Sequence, residues 1–542
     1  MAGIVDLLRN GKNEEAWQQC CGFIDLRLDE FMTIQKRLLL EQLDMLKDCE
    51  LGRFILNGAY PVSVEEFRER IPLTVYEDYA PYLLNKKANT LPRKPAIWHY
   101  TSGKSGEYTY RWAPVTQGQL QEIESLLFAL LFFSGCKSRR DINFKENDKI
   151  LYGMAPPPYA TGTMARVFPY ELFKFMPSVD ESERLSFEER IQRGFEMSLS
   201  EGLDVFLAMS SVAVAIGERF QKHSSRIDVK DLLKKPRALP RLVKGAVRSK
   251  LAHRAMLPRD LWSLRGLITF GIDSSIFKDK IKKMWGVEPL EFHGCTEAVI
   301  IAMQTWDHRG MTFIPSLNFF EFIPEEESIK SREDPTYQPK TLLLDEVKPG
   351  NYELVITSLH GGPFVRYRLG HLVQITSLRN DELNIDIPQM VFLSRVDDQI
   401  DIAGFTRLSE KTVWQAIENA GLAYEGWTAR KEVGDAPHLH LYIEMKGNGH
   451  ITAEQAGSLI HAELKVLDTP YADLESFIDL HPLEVTLLPE NAFRLYKQKQ
   501  QAAGADLTQM SPPHINASDE MVDFLLNPAV RAAEKTAEMA EV

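Results

Sequence analysis

Thr101-Ser102-Gly103-Lys104-Ser105-Gly106-Glu107 follows directly on the apolar run Pro95-Ala96-Ile97-Trp98-His99-Tyr100. Glycines and hydroxyls leaving a strand let backbone N–H groups approach an anion closely, and each hydroxyl adds a donor that the peptide lacks. Alone, the stretch reads equally well as a phosphate cradle or as an ordinary Ser/Gly turn. Two later stretches favour the cradle. Phe292-His293-Gly294-Cys295-Thr296-Glu297 follows the β-like segment 287–291. Arg366-Tyr367-Arg368-Leu369-Gly370-His371 reads as a tight turn between strand-like 352–358 and 372–375.

In this order and at these separations the three stretches resemble the signature elements of adenylate-forming enzymes. They are most similar to those of the GH3 family of acyl-acid amido synthetases. Segments 67–79, 311–324 and 504–509 look like further landmarks of that family, so the likeness covers nearly the whole chain. It implies an α/β fold with a large N-terminal lobe of helix-covered sheets plus a β-subdomain, and a small mobile α+β C-terminal lobe. The expected division is 1–393, a hinge at 394–398 containing Asp397 and Asp398, and 399–542.

The resemblance also implies a chemistry. A carboxylate is a poor electrophile, and ATP converts it to an acyl-adenylate that an amine can attack. Such a site works mainly by positioning and by neutralising phosphate charge. By resemblance, Thr101, Ser102, Gly103, Lys104, Ser105 and Gly106 wrap the phosphates, and His293, Gly294, Cys295, Thr296, Gly271, His371 and Arg395 line the rest of the nucleotide site. Ser102, Thr296, Glu297 and Arg368 are the catalytic candidates, with Glu297 the ligand of Mg²⁺, a hard cation that takes one or two carboxylates and keeps most of its water. The partners implied are a small carboxylic acid and an amine, most simply an amino acid. CoA or a carrier protein is the candidate thioester carrier.

Four positions depart from the family pattern. Lys104 stands where Thr is usual, and it either adds charge to the phosphates or faces solvent. Arg111 is the nearest cation where the family loop carries Lys. Segment 509–513 replaces one that usually holds Lys, for which Lys497 or Lys499 is a candidate substitute. His371 replaces the Asp that accepts hydrogen bonds from both ribose hydroxyls; a neutral imidazole offers one acceptor. This last departure motivates a second reading, an ATP-independent acyltransferase working from a preformed thioester. Cys295 would then be the nucleophile, with His293 or His371 as base. The plainer reading of Cys295 is a small apolar filler.

Composition sets outer bounds. The 542 residues carry a formal charge of −13, with 44% hydrophobic and 26% charged residues, which suits a multi-lobed globular enzyme and disfavours a nucleic-acid-tracking surface. Five scattered cysteines suggest reduced thiols and a cytoplasmic setting. The amino-terminal residues lack the form of a secretory signal. The longest apolar run, 126–133, is too short to span a bilayer, so no transmembrane segment is expected. Between Arg226 and Arg259 cations greatly outnumber acids; the segment reads as a solvated helical insertion, or as a docking site for a phosphorylated carrier or a membrane surface. Helical periodicity is expected over 13–57 and 453–467, the latter capped by Thr452 and Gln455, and an apolar helix over 298–303.

Overall fold

The computed structural model describes residues 3–102, 110–154, 157–168, 172–185, 187–224, 237–271, 274–334, 336–402, 406–433, 437–447, 451–472, 482–502 and 513–527. The loop 103–109, the segment 503–512 and the tail from 528 lie outside them. The expectations for Gly103, Lys104, Ser105 and Gly106 therefore fall outside the described residues, as do those for the side chains of Thr101 and Ser102.

Contacts divide the chain into Met1–Phe392 and Leu393–Val542. In the first unit, β1 (Pro95–Ser102) and β2 (Tyr110–Thr116) pair antiparallel on either side of the loop 103–109. The main sheet is built from β3 (Asp148–Gly153), β4 (Phe173–Met176), β5 (Val205–Met209), β6 (Gly266–Phe270), β7 (Leu290–His293), β8 (Ala302–Gln304), β9 (Met311–Phe313), β10 (Asn318–Pro324), β11 (Gly350–Ser358), β12 (Tyr367–Ser377) and β13 (Gln389–Arg395). These eleven strands run in the order β10-β11-β12-β13-β9-β8-β7-β6-β5-β3-β4.

The half from β7 to β4 is parallel, and its central strands β5 and β6 read as apolar runs, buried almost throughout. At β7 the pairing switches to antiparallel, with Phe292 opposite Met303 and His293 opposite Ala302. The stretch 298–303 is thus a turn followed by β8, and the helix expected there does not form. A short buried apolar run fits strand or helix equally; here pairing with β7, and Val299 at φ 60°, decide for the strand.

The helix Gln117–Gly135 starts on a capping box in which Thr116 Oγ1 accepts from the Gln119 N–H and Gln119 Oε1 accepts from the Thr116 N–H, at 3.2 and 3.0 Å. Every residue from Leu126 to Gly135 is buried, so the longest apolar run is a core helix. Among the described residues no helix is long and apolar enough to cross a membrane.

One buried ion pair ties the first unit together. Arg366 donates from Nε and Nη2 to the two oxygens of Glu321 on β10, at 3.0 and 2.8 Å. Its Nη1 donates to the carbonyls of Arg68 and Ile71. Both side chains are almost fully buried. Arg366 sits at φ 45°, a region costly for a residue with a side chain. Neighbouring bonds hold it there: its N–H donates to Thr357 Oγ1 at 2.9 Å, and its carbonyl accepts from the Thr74 N–H at 2.9 Å.

The stretch 366–371 is accordingly not a turn between two strands. Arg366 precedes β12 and 367–371 opens it, with a bulge: Val355 pairs with Arg368 but Leu354 pairs with His371, leaving Leu369 and Gly370 unpaired. Gly370 takes φ 66°, which suits glycine, and the bulge changes the direction in which His371 projects.

In the second unit, β14 (Gln399–Ile402) pairs with β15 (Thr406–Ser409), and β16 (Tyr424–Val433), β17 (Pro437–Met445) and β18 (Leu483–Leu487) form a second sheet. Helices Glu410–Asn419 and Ala453–Leu467 accompany them. The second carries the expected Thr452/Gln455 capping box.

Removing one member of the Arg366–Glu321 pair strands a buried charge. Glu321→Gln or Arg366→Met is expected to cost about 3–5 kcal/mol, and the double variant Arg366→Met/Glu321→Leu less than the sum of the single losses. Urea unfolding checks this; additive losses would contradict it.

Candidate active site

The second and third of the three stretches meet, and strands flanking the loop 103–109 approach them. The contact between the second and third is direct: His293 Nε2 lies 3.1 Å from His371 Nδ1, and both rings are buried. One imidazole donates and the other accepts, so at least one of the facing nitrogens is unprotonated. Phe392 closes the group, stacked on His293 with centroids 4.6 Å apart and edge-on to His371 at 5.5 Å.

Local geometry explains how His293 and its neighbours are presented. The chain leaves β7 at His293, turns through Gly294-Cys295-Thr296-Glu297, and returns so that Ile301 donates to the His293 carbonyl at 2.9 Å and Val299 to the Cys295 carbonyl at 2.8 Å. A Cβ on Gly294 would stand 2.1 Å from the Val299 carbonyl oxygen. Only glycine fits that position. Thr296 is buried, and Gly294, Cys295 and Glu297 are half-buried.

The first segment joins through β1 and β2. His99 on β1 is 1% exposed and its ring faces the backbone of Thr296 without a well-formed hydrogen bond; neither nitrogen has a partner among the described residues. Burial holds His99 down to about 4, slightly offset by the Thr296 backbone, so this imidazole is neutral near pH 7. On β2, Arg111 lies over the Tyr76 ring at 5.2 Å.

Tyr367 links all three. Burial pushes its hydroxyl well above the usual range, the charges of Glu297 and Cys295 push it further, and Arg111 opposes them. Glu297, Cys295 and Arg111 thus share the electrostatic surroundings of one buried phenol.

The other expected residues take varied places. Arg368 forms a two-pronged pair with Glu353, Nε to Oε1 at 2.8 Å and Nη2 to Oε2 at 2.6 Å, and Ser328 also donates to that carboxylate. Gly271 follows β6 at φ 121° and its carbonyl accepts from Ser274 Oγ at 3.2 Å. Arg395 ends β13 in the second unit; its carbonyl accepts from the Asp398 N–H at 3.1 Å, across a turn in which the Asp397 carbonyl accepts from Asn516 Nδ2 at 2.8 Å. An apolar space beside Leu127, Leu130, Met164, Phe270 and Phe292 holds only about 10 Å³, no more than one water. The leucines on that helix face are packed core there.

His99, Tyr367 and Phe392 were not among the expected site residues. Tyr367 lies inside the third motif and His99 just ahead of the first, so position was a usable signal. Phe392 carries none: an aromatic residue near a strand end is ordinary.

The fold is shared with solved structures of two ligases. It matches AtGH3.15 acyl acid amido synthetase in complex with 2,4-DB with a TM-score of 0.67 at 17% identity, covering 93% of this chain and 95% of that one. It matches 2-hydroxyisobutyryl-CoA ligase in complex with 2-HIB-AMP with a TM-score of 0.57 at 14% identity, covering 94% and 93%. Residues 22–157 match the GH3 family N-terminal domain and residues 311–395 the GH3 family central domain. The chain therefore carries the N-terminal and central domains of the GH3 family. A curated relative is the probable indole-3-acetic acid-amido synthetase GH3.11 of Oryza sativa subsp. japonica, 26% identical over 224 residues. That match spans 37% of this chain and 36% of the relative, about a third of each.

Two outcomes check the site. Between pH 6.5 and about 4 the unfolded chain binds a proton that folded His99 refuses, so its contribution to stability falls as pH drops through that window. His99→Phe is expected to lose less stability than the parent between those limits, by up to about 3 kcal/mol; equal urea midpoint shifts would contradict it. Gly294→Ala is expected to lower the melting temperature by several degrees through its clash with the Val299 carbonyl.

Proposed function

We propose that the protein is an ATP-dependent ligase that activates a small carboxylic acid as its acyl-adenylate and transfers the acyl group to an amine, an amino acid being the leading candidate. What supports this reading is that Glu297 and Arg111 act on one phenol, Tyr367, while His99 lies beside the Thr296 backbone and His293 meets His371. The names of the GH3 relatives and the shared fold support the same reading.

In this account a carboxylate oxygen of the acid attacks the α-phosphorus of ATP and pyrophosphate leaves. The amine then attacks the acyl carbon, AMP leaves with the C–O bond electrons, and the amine loses a proton. Gly294 lets the chain turn tightly against the Val299 carbonyl, and the Thr296 hydroxyl donates to the phosphate. Glu297 supplies the oxygen for Mg²⁺, whose role when bound is to neutralise phosphate charge. Arg111 stands in for the usual loop lysine. Arg368, committed to Glu353, acts by holding the β11–β12 pairing that carries His371.

His371 is the weak point of nucleotide capture. One ring nitrogen already faces His293, so it cannot accept from a ribose diol as a carboxylate does. The reading predicts a high KM for ATP and a fall of roughly three- to tenfold in His371→Asp, the worth of about one hydrogen bond.

Acid-dependent ATP–pyrophosphate exchange tests the whole reading. A panel of small aromatic and aliphatic acids is expected to include at least one that drives exchange, and Glu297→Gln to slow it about 100-fold or more. Absence of exchange with every acid, together with acyl transfer from a thioester that Cys295→Ala abolishes, would replace the ligase with the acyltransferase.

A further inference from the structure

The basic segment of the sequence is left unexplained by this chemistry. In the structure its described part forms the helix Leu239–Leu251, anchored at one side and bare at the other. Arg241 Nη1 donates to the Leu199 and Ser200 carbonyls at 2.9 Å each, and Arg254 pairs with both oxygens of Asp260 at 2.7 and 2.8 Å. Gly245 and Ser249 are buried, and a Cβ on Gly245 would run into Leu261 and Met256. This is the face that packs.

With about 3.6 residues per turn, Val243, Val247 and Leu251 form a single stripe opposite Gly245 and Ser249. They are 53%, 53% and 77% exposed. No other helix among the described residues exposes three large aliphatic side chains at successive i, i+4 spacing. Lys244 and Lys250 flank the stripe, and neither has an ion-pair partner among the described residues. Residues 237–259 hold seven Lys or Arg and no Asp or Glu, in a chain of net charge −13.

We propose that this helix docks on an anionic lipid surface, lying in the headgroup plane with Val243, Val247 and Leu251 inserted. Charge complementarity requires a negative partner, and the apolar crest requires one that also offers hydrocarbon. A nucleic acid backbone meets the first condition only. A bilayer containing acidic phospholipid meets both, and it accepts a convex ridge without needing a shaped groove. The lysine stems extend along the crest and bring their ammonium groups to the headgroups. Neither helix length nor apolarity allows spanning, so the attachment is peripheral and reversible.

The test is cosedimentation of the full chain with phosphatidylcholine vesicles and with mixed phosphatidylcholine–phosphatidylserine vesicles. Binding is expected to the mixed vesicles only and to weaken with salt. Lys244→Gln/Lys250→Gln is expected to weaken it about thirtyfold. Val243→Ser/Val247→Ser/Leu251→Ser is expected to abolish it without changing the thermal melt, whereas Val466→Ser, an exposed apolar residue of the helix Ala453–Leu467, leaves it intact. No binding to mixed vesicles, or binding that the serine triple variant retains, would overturn the proposal. So would a concentration-dependent dimer, or a complex with an acidic protein, that forms through the same stripe while vesicles do not bind.

Discussion

The buried pair Arg366–Glu321 is the constraint on which the rest of the first unit depends. A guanidinium withdrawn from water must fill its donors, and Arg366 does so with one carboxylate and the carbonyls of Arg68 and Ile71. Those partners come from β10 and from the end of the helix Val64–Arg70, so one side chain fastens the N-terminal helices to the antiparallel half of the sheet. The same residue begins the path to the site: Thr74 bonds the backbone on either side of Tyr367, and the bulge at Leu369-Gly370 then presents His371. Strain at Arg366 is offset by bonds made over a wide stretch of chain.

What this scaffold presents is a group of polar residues held with few titratable freedoms. His99 is neutral by burial and Tyr367 keeps its proton. Cation and anion, Arg111 and Glu297, act on the same phenol from opposite electrostatic sides. An arrangement of this kind resists reorganisation, which is the property that a site handling phosphate charge requires. The His293–His371 pair is its unusual member, because it joins the motif expected at the α-phosphate to the one expected at the ribose. Any change in how one imidazole is used is felt by the other.

Much of the architecture could be read from the chain. The capping pair Thr452/Gln455 marks its helix because the signal is local, and strands β5 and β6 declare themselves as apolar runs between helices. Two features differ from what their composition suggests, for a common reason. The run 298–303 has the composition of a helix or a buried strand, and its pairing with β7 settles which. The stretch 366–371 has the small and charged residues of a turn, yet β11 draws it into β12 with a bulge. Partnerships over long separations were equally hidden. Nothing near Arg366 names Glu321, and nothing near His293 names His371, although both residues stood inside the motifs. Each partner lies in a distant stretch, so the pairing rests on folding.

The central claim is that these three segments surround one nucleotide. It is tested most directly by diffusing AMP into crystals of the full chain and locating the bound molecule. The account predicts phosphate density within hydrogen-bonding distance of Thr296, with the ribose against His371 and its contact to His293 altered. AMP bound elsewhere, or no binding at saturating concentration while His293 and His371 stay paired, would contradict it.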